Sequence, residues 1–342
     1  MGRLSVAIFD NSNSSWGKLS ASDPRVVVGF DAHSFALAAQ VGVDERSIAR
    51  VIADSRGWVR VLGVDGEREV EVHRSMSATP DVIPVVGDWV SILERPGMAG
   101  LVARVLPRRS QIVRPNRRHK RDQTLAANVD VAWILEAVDG PRSWVRVLRL
   151  ATLVAEGGIR PELVLTKHDL VSDVERHIAE AQEATLLPTW STSVRSEEAR
   201  NDLHRRCSEA GGDGVSTIAL IGPSGSGKSS LVNFLVPEAE LNVGDTRADG
   251  RGRHTTTSRS LFRLASGGCV IDTPGIRSVL IDDEIGGVAV TFPDIEVFEG
   301  QCRFRDCSHD HEPACAVRAA VEAGTLSAAR LESYLATLTR GG

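Results

Sequence analysis

The stretch Ser216-Thr217-Ile218-Ala219-Leu220-Ile221, followed directly by Gly222-Pro223-Ser224-Gly225-Ser226-Gly227-Lys228-Ser229, constrains this chain more than any other. A short apolar run with β-branched residues reads as a buried strand. The G-x4-G-K-S loop after it leads into Ser230-Leu231-Val232, which gives the strand–loop–helix context that a P-loop requires. Its glycines let backbone N–H groups turn inward around a phosphate, and the helix brings its positive N-terminal end to the same point. Gly222, Pro223, Ser224, Gly225, Ser226, Gly227, Lys228, Ser229 and Ser230 are therefore the candidate phosphate cradle, with Lys228 reaching the β/γ oxygens and the Ser229 hydroxyl ligating Mg²⁺. Upstream, strand-like runs at 129–135 and 162–165 alternate with helical runs at 143–156 and 171–184. This is the pattern of an α/β domain with a mainly parallel sheet.

A P-loop alone does not choose the base, and GPSGSGKSS also resembles the loop of transporter-type ATPases. Those place Asp-Glu after the next strand and carry Leu-Ser-Gly-Gly-Gln, which is absent from this sequence. Here the strand Gly268-Cys269-Val270-Ile271 ends in Asp272-Thr273-Pro274-Gly275. That is the GTPase form, in which Asp272 holds Mg²⁺ through water and the Gly275 amide meets the γ-phosphate. Thr166-Lys167-His168-Asp169 follows the strand Leu163-Val164-Leu165 where GTPases carry Asn-Lys-x-Asp. Asp169 would accept hydrogen bonds from guanine N1–H and N2–H₂, and a site built on such bonds rejects adenine strongly. Thr166 replaces the usual Asn and is expected to cost the loop a brace. Alone, this tetrapeptide is equally compatible with a helix N-cap. Its force comes from order, because the base motif precedes the P-loop, whereas ordinary GTPases place it after. A second guanine loop falls near Ser191-Thr192-Ser193, its register open. Between P-loop and Asp272, the polar run Arg251-Gly252-Arg253-His254-Thr255-Thr256-Thr257 reads as a switch, with Thr256, or next Thr255, as the Mg²⁺ ligand. Ile276 stands where many GTPases have the Gln that orients water, so positioning falls to His254, a backbone group or a partner, and slow intrinsic turnover is expected.

At 342 residues the chain is long enough for two or three domains, and no apolar run suffices to span a membrane. With no long apolar stretch near the N-terminus, the expectation is a cytoplasmic protein. Residues 1–43 form an extension without an assigned role. Residues 44–116 show short alternating strands, Trp58–Leu62, Glu69–Val72, Asp88–Leu93 and Leu101–Leu106, punctuated by Gly63, Asp65-Gly66, Gly87 and Pro96-Gly97. About five strands in that span fit an oligonucleotide-binding (OB) type barrel, although alternation does not fix topology. The net charge of −5 argues against a uniformly basic RNA binder. From Arg104 to Arg121, however, Arg104, Arg108, Arg109, Arg114, Arg117, Arg118, Lys120 and Arg121 occur with no acidic residue, a run that by itself reads as a solvated linker. The nucleotide domain would cover 117–290 and a last module 291–342.

That module contains Cys302-x4-Cys307-x-His309-x5-Cys315. Three thiolates and an imidazole close a tetrahedral shell around a structural Zn²⁺ and leave no open position for catalysis; His311 competes as fourth ligand. The segment is polar, so metal rather than an aliphatic core is expected to fold it. Cys207 and Cys269 stand apart and read as ordinary thiols. The run 326–338 has helical periodicity and is expected to pack back on the module.

Together, the permuted motifs, the barrel in front and the Cys₃His module behind resemble the ribosome small-subunit-dependent GTPase A (RsgA) family. The likeness rests on Val86-Gly87-Asp88-Trp89-Val90, Leu106-Pro107-Arg108-Arg109-Ser110, Ala127-Asn128-Val129-Asp130, the P-loop, Gly252 to Thr257 and Cys302-Arg303-Phe304-Arg305-Asp306-Cys307. It implies a multidomain α/β protein with an N-terminal OB-type barrel, a circularly permuted P-loop GTPase domain and a C-terminal zinc-binding helical module. It further implies a monomeric late assembly factor of the small ribosomal subunit, binding GTP and GDP, touching rRNA through barrel, basic run and zinc module, and released on subunit-stimulated GTP hydrolysis.

Overall fold

The computed structural model of the chain describes residues 23–55, 57–73, 83–114, 122–140, 142–210, 215–239, 259–272, 292–304 and 307–338. Among these, no helix is long and apolar enough to cross a membrane.

Part of the N-terminal extension is folded. Asp31 caps helix α1 (Ala32–Gln40), its carboxylate accepting from Ser34 N at 2.7 Å. Val28 and Phe30 are buried, and the Phe30 ring meets Trp89 edge-on at 5.2 Å. Five strands follow: β1 (Ile48–Ser55), β2 (Trp58–Gly63), β3 (Gly66–Val72), β4 (Trp89–Leu93) and β5 (Leu101–Val105). β1 pairs antiparallel with both β2 and β4, β2 with β3, and β4 with β5, while β3 and β5 run parallel. The circuit 1-2-3-5-4-1 closes a barrel in OB order. Alternate residues Ala49, Val51, Val59, Val61, Val70, Val90, Ile92 and Val102 fill it. A hairpin, β6 (Gln111–Arg114) and β7 (Gln123–Ala127), connects the barrel to the next domain.

The nucleotide domain contains β8 (Val131–Ala137), α2 (Trp144–Glu156), β9 (Arg160–Thr166), α3 (Val174–Thr185), β10 (Thr189–Thr192), α4 (Glu197–Glu209), β11 (Thr217–Ile221), α5 (Lys228–Leu235), β12 (Ser260–Arg263) and β13 (Cys269–Asp272). Its strands lie in the order β10-β9-β8-β11-β13-β12, all parallel except β12. β8 and β11 are almost wholly buried because helices cover both faces, which is why they read as unbroken apolar runs. Ile134, Leu163 and Ala219 pack toward α2 with Leu150 and Val154. Trp133, Leu135, Val164 and Leu220 pack on the other side with Leu203 of α4 and Leu231 of α5.

β12 also pairs antiparallel with barrel strand β1 at Ala53↔Ser260, so barrel and nucleotide domain share one eleven-stranded sheet. Just beyond that pair, Asp54 clasps Arg259. Its carboxylate accepts from Arg259 N at 3.0 Å and from Arg259 Nη1 at 3.2 Å.

Arg50 of β1, 1% exposed, sits where these parts meet. It donates to Val28 O in the extension, Gly87 O (3.2 Å) before β4, Asn128 O (3.0 Å) after β7, and Thr217 Oγ1 (3.0 Å) at the start of the P-loop strand. Arg108 of the basic run is likewise committed internally. It forms a two-pronged pair at 2.8 Å with the fully buried Asp88 carboxylate, so it is a structural residue rather than an exposed cation.

The C-terminal module consists of α6 (Pro293–Glu299), α7 (Ala316–Glu322) and α8 (Ala328–Leu338). Contrary to the expectation of a segment without aliphatic core, Phe292, Ile295, Val317, Ala320, Leu326 and Tyr334 form one, shared with Leu148 of α2. The polar ligand loop hides it because the apolar residues lie in the flanking helices. Arg330 pins the module: it pairs bidentately with Asp294 (2.9 and 3.0 Å) and donates to Thr185 O (3.3 Å) at the end of α3.

Replacing Arg50 by Ala strips the Arg50 donors from four acceptors in four segments, of which Val28 O, Asn128 O and Thr217 Oγ1 are left unsatisfied while Gly87 O keeps the Asn128 amide. The loss should reach about 3 kcal/mol or more, since each buried polar group left unsatisfied costs roughly 1–3 kcal/mol. Urea unfolding followed by tryptophan fluorescence measures it; an unchanged midpoint would contradict the role given to Arg50.

Candidate nucleotide and metal sites

The P-loop joins the end of β11 to α5. Gly222 has φ 153°, and a Cβ there would lie 2.5 Å from Leu135 O and 2.9 Å from Ser226 Oγ, so only glycine fits against β8. Gly227, at φ 89°, is the left-handed residue from which α5 starts at Lys228. Lys228 Nζ donates to Gly222 O (2.7 Å) and Pro223 O (2.6 Å), holding its ammonium across the loop. The Ser226 hydroxyl donates to Pro223 O at 3.0 Å and is buried. Ser229 and Ser230 follow in the first turn of α5, and Asp272 ends β13 opposite Leu220, two strand positions from the loop's entry. His254, Thr255, Thr256, Gly275 and Ile276 lie outside the described residues.

The base motif ends β9, and the parallel pairing Thr192↔Thr166 brings the end of β10 beside it. Thr166 is buried, and its hydroxyl donates to Ser226 O at 2.9 Å. The P-loop brace expected to be lost with the missing Asn is thus supplied by a hydroxyl. Lys167 takes φ 62°, and its Nζ contacts both Asp139 oxygens at 3.0 Å, from the loop after β8. His168 Nδ1 and the Ser191 hydroxyl share a hydrogen bond of 3.1 Å. Ser193, immediately after β10, donates to Asp169 Oδ1 at 2.5 Å, and Arg195 approaches Oδ2 at 3.6 Å. Within the segment near Ser191-Thr192-Ser193, it is thus Ser193 that meets the base motif. The Ser193 hydrogen bond, aided by Arg195, holds the Asp169 carboxyl below its ordinary value of 3.8, so the group is an ionised acceptor at neutral pH.

Two participants escaped the sequence reading. Asp139 sits in Ala-Val-Asp-Gly, where Asp-Gly signals only a turn. Glu136 lies within an apolar strand, yet is buried and paired with Arg146 of α2 by three bonds of 2.8–3.0 Å. Burial pushes its carboxyl pKa up, against the opposing pull of Arg146. The run Val131–Ala137 offers no cue beyond a lone acid in an otherwise buried strand.

Cys302, Cys307, His309 and Cys315 converge, with one ligand atom from each all within 4.8 Å of one another. His309 Nδ1 lies 3.6 Å from Cys302 Sγ and 3.4 Å from Cys315 Sγ, and the two sulfurs are 4.0 Å apart. A tetrahedral ion with the usual Zn–S and Zn–N lengths requires edges of about 3.5–3.8 Å. The donor set and its spacing therefore fit such an ion. Backbone N–H groups of Ala316 and Arg318 donate to Cys302 and Cys315 sulfurs at 3.4 and 3.5 Å, which favours the thiolate form. His311 is exposed and pairs only loosely with Asp310, which removes it as the competing ligand. Cys207 and Cys269 are buried in the nucleotide domain, and burial pushes their thiols up to about 12 and about 11, so they are inert core residues.

A parallel P-loop sheet whose base-recognition strand precedes its P-loop in the chain defines a circularly permuted GTPase. The RsgA GTPase family matches residues 105–282. "Small ribosomal subunit biogenesis GTPase RsgA" of Xylella fastidiosa (strain M23) is 42% identical over 84% of this chain and 85% of its own length. The protein of that name from Streptomyces avermitilis is 39% identical over 92% of this chain and 85% of its own. Two solved structures share the architecture. YjeQ from Thermotoga maritima matches with TM-score 0.63 and 25% identity, covering 86% of this chain and 98% of that one. YloQ, described as a circularly permuted GTPase, matches with TM-score 0.59 and 27% identity over 86% and 94%. This chain belongs to the RsgA GTPase family.

Thr166→Val removes the hydroxyl that braces Ser226 while keeping the side-chain volume. GTP affinity should fall about 5- to 30-fold, corresponding to roughly 1–2 kcal/mol for a buried hydrogen bond, with Thr166→Ser close to wild type; titration with a fluorescent guanine nucleotide reads both. For Asp169 the folded pKa is depressed, so its acceptor role persists above the ordinary carboxylate range and is lost only as pH falls through the lowered value. GDP affinity should hold steady from pH 8 down to about 5. In Ser193→Ala, loss of affinity should begin at a higher pH.

Proposed function

We propose that the protein is a late maturation factor of the small ribosomal subunit, with hydrolysis of GTP stimulated by the subunit and driving release. The single observation that carries this reading is the joining of a circularly permuted P-loop domain to an OB-type barrel in one sheet through β12 and β1. The names of the relatives, which place them in small-subunit biogenesis, supply the partner class.

In this reading Asp169 and the Lys167 stem select guanine, Lys228 and the P-loop amides neutralise the phosphates, and the Gly275 amide reads the γ-phosphate. Mg²⁺, held by Ser229 and Thr256 with Asp272 acting through water, would supply charge neutralisation at the β- and γ-oxygens. His254 is the proposed water-positioning side chain, because Ile276 has no hydrogen-bonding group. On the barrel, Trp58 is 41% exposed at the start of β2 beside the exposed Arg60, an aromatic and a cation on a face that OB barrels use for oligonucleotides. The basic run contributes through residues 114–121 rather than Arg108. The Cys₃His cluster holds a structural zinc, and the proposed domains are 44–116 for the barrel, 117–290 for the GTPase and 291–342 for the zinc module. A monomer working in the cytoplasm completes the proposal.

Hydrolysis of GTP and ATP, each with and without purified small subunits, tests it. GTP alone should be hydrolysed, slowly, and the subunits should accelerate it by about tenfold or more. Asp169→Asn should weaken GTP on the order of 10³-fold or more while sparing xanthine nucleotides. Trp58→Ala with Arg60→Ala should lower subunit stimulation and leave the basal rate unchanged. Equal use of ATP, or no response to subunits, would overturn the proposal.

A further inference from the structure

The metal cluster has a second layer built from the two helices that flank it. His309 is buried, takes φ 62°, and turns Nδ1 toward the sulfurs of Cys302 and Cys315. Its other nitrogen, Nε2, faces Glu299 Oε1 at 3.9 Å, from the last position of α6. That same oxygen accepts a hydrogen bond from the Tyr334 hydroxyl of α8. The Tyr334 ring stacks edge-on against both His309 (5.8 Å) and Phe292 (5.2 Å), and its side chain is almost fully buried. Tyr334, Glu299 and His309 thus form a chain leading from α8 through α6 to the ligand shell.

We propose that Glu299, oriented by Tyr334, is the positioning residue of the metal site. With Oε1 3.9 Å from Nε2, it stands where a small turn of the ring onto the ion would bring the Nε2–H of His309 to it, fixing the imidazole in the tautomer whose Nδ1 lone pair faces the sulfurs of Cys302 and Cys315 and making Nδ1 the ligating atom. A ligating imidazole has one nitrogen for the ion and one proton to place; a carboxylate at the second nitrogen holds the ring still and raises the basicity of the first. No other carboxylate among the described residues is placed within 4.0 Å of the His309 ring. The hydroxyl of Tyr334 occupies a lone pair of Glu299 that would otherwise be free to rotate toward solvent, which explains a buried phenol at this point of α8. The inference rests on the zinc reading above.

The test uses the full-length protein, first assayed for bound zinc as purified. Zinc affinity is then measured by competition with a chromophoric chelator for wild type, Glu299→Gln, Glu299→Ala and Tyr334→Phe. Loss of the carboxylate should weaken binding by about 10- to 100-fold, the usual cost of removing such a partner. Glu299→Gln keeps an acceptor oxygen and should recover most of that loss, and Tyr334→Phe should cost several-fold. Long-range ¹H–¹⁵N spectra of histidine-labelled protein, with His309 assigned by substitution, should show a protonated Nε2 and a metal-bound Nδ1. Far-ultraviolet circular dichroism of each variant separates unfolding from loss of the ion. Wild-type protein without stoichiometric zinc would refute the metal reading and this inference with it. Stoichiometric zinc in wild type, combined with unchanged affinity in Glu299→Ala or with ligation through Nε2, would overturn the inference alone.

Discussion

A guanidinium held out of water by hydrogen bonds to carbonyls of separate segments binds this molecule together. Burying an unpaired cation costs several kcal/mol, so Arg50 is tolerable only while its acceptors are all in place. Three of those acceptors come from pieces that could otherwise move independently: the extension through Val28, the turn before β4 through Gly87, and the connection after β7 through Asn128. The fourth, Thr217, begins the strand that ends in the P-loop. Its charge is balanced at a distance by Asp130 and Asp88, and burial pushes its pKa down, but a guanidinium retains its proton. Asn128, at φ 53°, strengthens the same junction: its side-chain Nδ2 donates to Gly87 O at 3.0 Å while its side-chain Oδ1 accepts from Arg109 N at 3.0 Å. The barrel is therefore seated on the foot of the phosphate-binding strand and not tethered by a loose linker.

The second joint lies at the opposite side of the same domain. β12 pairs with β13, which ends in Asp272, and with β1, which ends three residues before Trp58 of β2. Antiparallel pairing makes any shift of one strand a shift of its partners, because a change of register would expose every inward side chain. The Asp54–Arg259 clasp tightens this edge, where the pairing is shortest. Through it, the backbone from Arg259 onward is physically continuous with the barrel hairpin that presents Trp58.

Much of this was legible in the sequence, where local chemistry is forced by local pattern. The P-loop could be read because a glycine-rich turn between an apolar strand and a helix has few other uses, and the Cys₃His cluster because three thiols and an imidazole within fourteen residues match a tetrahedral donor set, although the core beside them in the flanking helices was not read. Strands β8 and β11 were legible because both of their faces are buried. β1 was missed since Arg50 breaks its apolar alternation, and the charge has meaning only once four distant segments surround it. The same holds for Glu136 and for Arg108, whose partners Arg146 and Asp88 are on other elements. Ser193 could be placed near the base, but its role required the register of β10 against β9, which no single-strand pattern contains. Thr166 shows the limit in the other direction: the departure from Asn was visible, while the hydroxyl's reach to Ser226 depended on a backbone geometry that sequence does not give.

Circular permutation explains why the Cys₃His module sits where it does. In the chain order found here the core is left after β13, at the phosphate end of the sheet, and the next described helices are α6, α7 and α8. These pack on α2 through Leu148 and on α3 through the Arg330–Thr185 bond, the helices that flank β8 and the base-recognition strand β9. A module attached in sequence to the strand of Asp272 is thus docked in space on the helices beside the base site. Its own core is small, so its position depends on the bidentate Arg330–Asp294 pair and on the cluster of Cys302, Cys307, His309 and Cys315 keeping α6 and α7 in register. Begun at β11 instead, the same elements would end with α4, whose Leu203 packs on the other face of the sheet from α2, and the chain would leave the core there.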